Sequence, residues 1–124
     1  MNIAIIEDDL SIRSNLIGLL GNTGWAVDFF DSATAFGKAK IHKYNVIITD
    51  LSLYPIDGRQ ILQSIVSKTD AELFLMGTGN FLESDVLNEN INGLINKNNP
   101  EDFIDKIRYV DIKIRIKNAS EKTI

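Results

Sequence analysis

Apolar residues along this chain follow two rhythms that take turns. Short apolar runs at 2–6, 25–29, 46–50, 73–76 and 93–96 have the length and β-branched content of strands. Between them, apolar positions recur at helical spacing. Ile12, Leu16, Leu19 and Leu20 mark a first helix that Asp9 is placed to cap, that Gly18 weakens and that the stretch from Gly21 to Gly24 ends. Asp31 or Ser32 caps a second helix through about Ile41, with Phe36 inward. Ile61, Leu62, Ile65 and Val66 mark a third, and Leu82, Val86 and Leu87 a short fourth. Pro100 opens the last helix, Glu101 and Asp102 favour its N-terminus, and Phe103, Ile107, Val110 and Ile114 follow one face. Residues 110–116 also alternate as a strand would, but the helical register continues unbroken, which predicts helix. That choice leaves Ile112 and Ile116 on a second face, with three readings open: a partner surface, a junction to another domain, or scattered surface apolar residues, the last being the default. Residues after Asn118 are expected to fray. Strands alternating with helices predict an α/β fold, a five-stranded parallel sheet with right-handed crossovers and helices on both faces.

Composition narrows the picture. A length of 124 residues with near-average apolar and charged fractions fits one compact domain, residues 1–117, followed by a frayed tail or the start of a linker at 118–124. The absence of cysteine removes disulfide frameworks and thiolate metal sites. No apolar segment approaches the ~20 residues that span a bilayer, and the N-terminus lacks a basic leader, so a soluble, cytoplasmic protein with no membrane partner is expected. The net charge of −4 argues against direct nucleic-acid binding by this domain. What basic character there is lies near the C-terminus. His42, beside Lys40 and Lys43 and without a second His or Cys nearby, reads as an exposed surface residue rather than a ligand or base.

The chemistry centres on residues 46–58. An apolar, β-branched run leads into Asp50, and the chain then turns through Pro55 and the Asp57-Gly58 pair. A strand buried on both faces reads this way, and in open α/β sheets ligands bind beyond the carboxyl ends of the strands. With all strands pointing one way, Glu7 and Asp8 after the first, Asp50 after the third, Thr78 after the fourth and Lys97 after the fifth gather at one edge. Carboxylates brought together repel unless a cation joins them, and all-oxygen ligation favours Mg²⁺ over zinc. Such a cluster facing a lysine and a hydroxyl suits a phosphoryl group, with Asp50 as its acceptor.

With these residues in hand, the chain from Asn2 to about Arg115 resembles the receiver domain of two-component response regulators, the family of the chemotaxis receiver protein. The likeness is carried by Ile5-Ile6-Glu7-Asp8-Asp9, Asp50, Asp57-Gly58 and Lys97. It implies a flavodoxin-like, doubly wound fold with strand order 2-1-3-4-5. It also implies phosphorylation of Asp50 by a sensor histidine kinase or phosphotransfer protein, and Mg²⁺ on Glu7, Asp8, Asp50 and the Ser52 backbone carbonyl. Lys97 would contact the phosphoryl group, and Thr78 fits the hydroxyl position better than Gly77. The modified domain would switch a surface on its last helices toward a downstream effector or its own dimer, a switch rather than an enzyme on an outside substrate. The chain departs from the family at several points. Pro55 falls one place late with Tyr54 in its stead, Leu94 stands where a switch Tyr or Phe is usual, and Asn98 where proline is usual. Leu94 and Asn98 favour an alternative, a receiver-like binding module that works without phosphorylation. A turnover phosphatase is disfavoured because Leu51-Ser52 lacks the second acid two residues after the acceptor.

Overall fold

The computed structural model describes residues 1–78 and 91–122. The fourth helix expected at Leu82, Val86 and Leu87 lies outside the described residues. Five strands, β1 (Asn2–Ile6), β2 (Ala26–Phe30), β3 (Val46–Asp50), β4 (Glu72–Gly77) and β5 (Gly93–Asn96), form one sheet in the order β2-β1-β3-β4-β5, and every pairing is parallel. The helices are α1 (Leu10–Leu20), α2 (Ala33–Gly37), α3 (Gly58–Ile65) and α4 (Pro100–Lys122).

Alternation along the strands divides the interior into two cores. Ile3, Ile5, Val46, Ile48 and Met76 pack with Leu16 and Leu20 of α1 and Phe103, Ile107 and Val110 of α4. Ala4, Ile6, Ile47, Leu73 and Leu75 pack on the other face with Phe36 of α2 and Ile61 and Leu62 of α3. This explains the unbroken apolar run of β3: all five of its residues are buried, because each face has its own cover. Full burial of each such Ile or Leu contributes about 1.5–3 kcal/mol over exposure. β2, at the sheet's edge, is only partly buried.

Helix starts follow the caps. Asp9 accepts from Ser11 N (2.8 Å) and Ile12 N (3.1 Å), and Ser32, not Asp31, caps α2 by accepting from Ala35 N. Asn99 accepts from Asp102 N and so sets Pro100 at the first position of α4. α4 continues as helix through residues 110–116 and on to Lys122. It thus stays helical past Asn118, where fraying is expected, and three further boundaries differ from expectation. α2 stops at Gly37 rather than near Ile41: Lys38 N closes the helix on Ala35 O and Phe36 O, and a 3₁₀ turn, Ile41–Lys43, then delivers Tyr44 inward. There Phe30 meets Phe36 and Tyr44 edge to face, with ring centroids 5.3 and 6.3 Å away. β2 begins at Ala26, after Gly24 turns the chain at φ +80°, because Trp25 leaves the strand to donate its indole N–H to Asp111 on α4 (3.0 Å). Val66 belongs to a 3₁₀ turn, Val66–Lys68, instead of α3. His42 is exposed in its turn. Among the described residues no helix is long and apolar enough to cross a membrane.

Candidate functional site

The parallel register assembles the site. Ile6 pairs with Thr49, so Glu7, just past β1, and Asp50, the last residue of β3, stand side by side at the carboxyl edge of the sheet. Asp50 in turn pairs with Met76, and Gly77 with Asn96, which sets Thr78 and Lys97 beyond the ends of β4 and β5. Lys97 N donates to Gly77 O (2.9 Å), which holds the lysine against the end of β4.

The side chains then converge. Lys97 Nζ lies 2.8 Å from Asp50 Oδ1 and 2.8 Å from Glu7 Oε2, with Glu7 fully buried and Asp50 4 % exposed. Glu7, Asp8 and Asp50 each offer a carboxylate oxygen, and these lie within 4.8 Å of one another. Asp9 is not among them, since its carboxylate is committed to capping α1. Instead its backbone N–H donates to Glu7 Oε1 (3.1 Å). Ser52 N donates to Asp50 Oδ1 (3.2 Å), so it is the amide of this exposed serine that reaches the acid. Thr78 is exposed one residue past β4. The structure therefore brings Glu7, Asp8, Asp50 and Lys97 together as a cluster, with Ser52 touching it through its backbone and Thr78 on the same edge of the sheet.

The electrostatics are those of crowding. Burial pushes the Glu7 carboxyl above its usual range; Lys97 and the Asp9 amide pull it back, and the neighbouring Asp50 charge adds to the rise. Burial alone would lower Lys97, but Asp50 and Glu7 outweigh it and hold the ammonium above its ordinary value. Three carboxylates against one ammonium leave two negative charges, the complement of one divalent cation. Glu7 Oε2 is buried, and the Lys97 ammonium that it meets at 2.8 Å is shared with Asp50. Two buried carboxylates that share one ammonium, with a third carboxylate beside them, fit a hard, oxygen-seeking ion.

Gly58, read from the sequence only as part of a turn and of the family likeness, makes a contact that pattern did not show. A Cβ on Gly58 would stand 2.3 Å from the Asp50 carbonyl oxygen and 3.0 Å from its carbon. The loop after β3 folds back onto the backbone of Asp50, and Gly58 N donates to Leu51 O (3.1 Å). Asp57 completes a reciprocal cap with Gln60, and this Asp-x-x-Gln spacing was a signal the sequence did carry.

Comparison with known proteins agrees with this geometry. Residues 3–108 match the response regulator receiver domain family. The transcriptional regulatory protein QseB of Escherichia coli O157:H7 is 29% identical over 126 residues, covering 99% of this chain and 54% of its own length. The QseB protein of Haemophilus influenzae is 34% identical over 95 residues, 76% of this chain and 41% of that protein. The chain thus spans about half the length of these curated relatives. In fold, it superposes on the response regulator TrrA of Thermotoga maritima, solved in complex with Mg(2+)-BeF, with a TM-score of 0.78 at 21% identity over 88% of this chain and 97% of that one. Fold, site geometry and family match together make this chain a member of the response regulator receiver domain family of two-component signalling.

Proposed function

We propose that the chain is a phosphorylatable receiver, residues 1–117, in which Asp50 accepts a phosphoryl group from the phosphohistidine of a cytoplasmic sensor histidine kinase or phosphotransfer protein. An Asp50 carboxylate oxygen attacks phosphorus, the P–N bond breaks as the O–P bond forms, and the imidazole of the donor leaves. Lys97 and the Thr78 hydroxyl bind the phosphoryl oxygens, holding charge where the transferring group spreads it. Glu7, Asp8, Asp50 and the Ser52 carbonyl would hold Mg²⁺, which when bound supplies neutralisation of the incoming phosphoryl charge. The domain assists its own phosphorylation and dephosphorylation, and the phosphorylated state shifts the surface of the last helices toward an effector or a second copy.

The observation that carries this reading is the shared Lys97 ammonium, 2.8 Å from both Glu7 and Asp50 at the carboxyl edge of the sheet. Intact-mass analysis after treatment with a small phosphodonor tests it. One phosphoryl adduct is expected with Mg²⁺, little without it, and none in Asp50→Asn. An adduct that persists in the Asn variant rejects the assignment, and an unmodified wild-type chain turns the reading to a phosphorylation-independent binding module.

A further inference from the structure

The C-terminal helix carries charge of the opposite sign to the molecule. Over its whole length it holds six cations and five acids, and past its acidic first turns, between Lys106 and Glu121, five cations face two acids, in a chain whose net charge is −4. Its inward stripe, Phe103, Ile107, Val110 and Ile114, is packed on the sheet. A second apolar stripe, Tyr109, Ile112 and Ile116, repeats at three and four residues on the opposite side and is 62 %, 48 % and 62 % exposed. Helical geometry puts Arg108 and Arg115 along one border of this stripe and Lys106 and Lys113 along the other. Some of these cations have partners on the molecule: Lys106 reaches Asp102 and the Leu94 carbonyl, Lys113 pairs with Glu72 and lies over the Tyr109 ring, and Arg115 pairs with Asp111. Even so, the side chains of Lys106, Lys113 and Arg115 stay 36 %, 43 % and 78 % exposed. A groove follows each border, one floored by Leu19, Trp25 and Ile112, the other by Phe74 and Tyr109.

We propose that this face of α4 docks an amphipathic helix of another protein whose apolar seam is bordered by aspartate and glutamate. The proposal rests on the reading of this domain as a switch that acts through its last helices, and names the chemistry of what those helices meet. A second copy fits poorly. Packed in parallel, the stripes bring Arg108 of one copy against Lys113 of the other; packed antiparallel, they bring arginines against arginines and lysines against lysines. Acidic borders turn each of those repulsions into attraction, while Tyr109, Ile112 and Ile116 supply the apolar contact.

The test titrates the full chain into two labelled, designed helices with the same leucine seam, one bordered by glutamate and one by lysine, and follows fluorescence anisotropy. The glutamate helix is expected to bind roughly tenfold tighter or more than the lysine helix. Ile112→Glu and Arg108→Glu are each expected to weaken it roughly tenfold. Ile17→Glu, at a 55 % exposed apolar position on α1, should leave binding unchanged. Equal binding of the two helices, or an Ile112→Glu variant that binds as wild type does, overturns the proposal. So does a dimer in sedimentation that Ile112→Glu dissolves, or preferential binding to phosphatidylserine vesicles. Phosphodonor labelling on the same samples separates the two readings: labelling without helix binding sinks this proposal alone, and helix binding without labelling sinks the phosphoacceptor assignment alone.

Discussion

Gly58 is the residue with the least room to change. Because its missing Cβ would stand 2.3 Å from a backbone oxygen rather than from a flexible side chain, Gly58→Ala must displace the loop that folds onto Asp50. A loss of about 1–3 kcal/mol is expected, read as a lower urea midpoint, with slower phosphodonor labelling because the acceptor's backbone moves too. Lys97→Ala acts through charge instead. It leaves the buried carboxylates of Glu7 and Asp50 facing each other without their shared cation, and should cost about 3–5 kcal/mol in the absence of divalent ions. Denaturation of this variant with and without Mg²⁺ checks it, the metal restoring much of the loss. Glu7, Asp8, Asp50 and Lys97 could be read from the chain because each lies at or just past the carboxyl end of a strand, and parallel strands share an edge. The role of Gly58 could not, since its contact is with a carbonyl eight residues earlier, and no spacing reveals a backbone approach.

Among the elements, α3 shows how a local signal decides a boundary. The reciprocal cap between Asp57 and Gln60 starts the helix immediately after the loop that carries Gly58. Asp57→Ala should lower stability by about 1 kcal/mol in urea titration. A second tie joins β2 to α4. The Trp25 indole, first, and then the Arg115 guanidinium hold the Asp111 carboxyl below its usual value. With the folded pKa depressed, the contribution of Asp111 to stability is present above the unfolded value and is lost as pH falls through the folded one. The thermal midpoints of wild type and Asp111→Asn should therefore differ at neutral pH and draw together below about pH 4. Trp25 is the one tryptophan, so its fluorescence follows the same loss. Periodicity could not show this link: Trp25 alternates like a strand residue, yet its polar edge is drawn off the sheet by a helix that arrives 86 positions later. The early end of α2 was hidden for a related reason, since a packed aromatic corner of Phe30, Phe36 and Tyr44 prevails over local helical spacing.

For the molecule as a whole, the parallel sheet with helices on both faces followed from the alternation of strands and helices, the strand order only from the family resemblance, and together they decide where the chemistry lies. If the acidic cluster holds Mg²⁺, the metal stabilises the folded state by mass action, by about 2.7 kcal/mol at a hundredfold excess over its dissociation constant. The melting temperature of the full chain should climb with the logarithm of Mg²⁺ concentration, and Glu7→Gln should flatten that slope. The ends of separate strands supply the acids and the ammonium, with β5 contributing Lys97 after all the other strands have been made. A nascent or clipped chain that stops before β5 thus presents bare acids with no ammonium between them. On the proposed reading, a chain that lacks Lys97 cannot answer a phosphodonor, so the response waits for the last strand of the sheet.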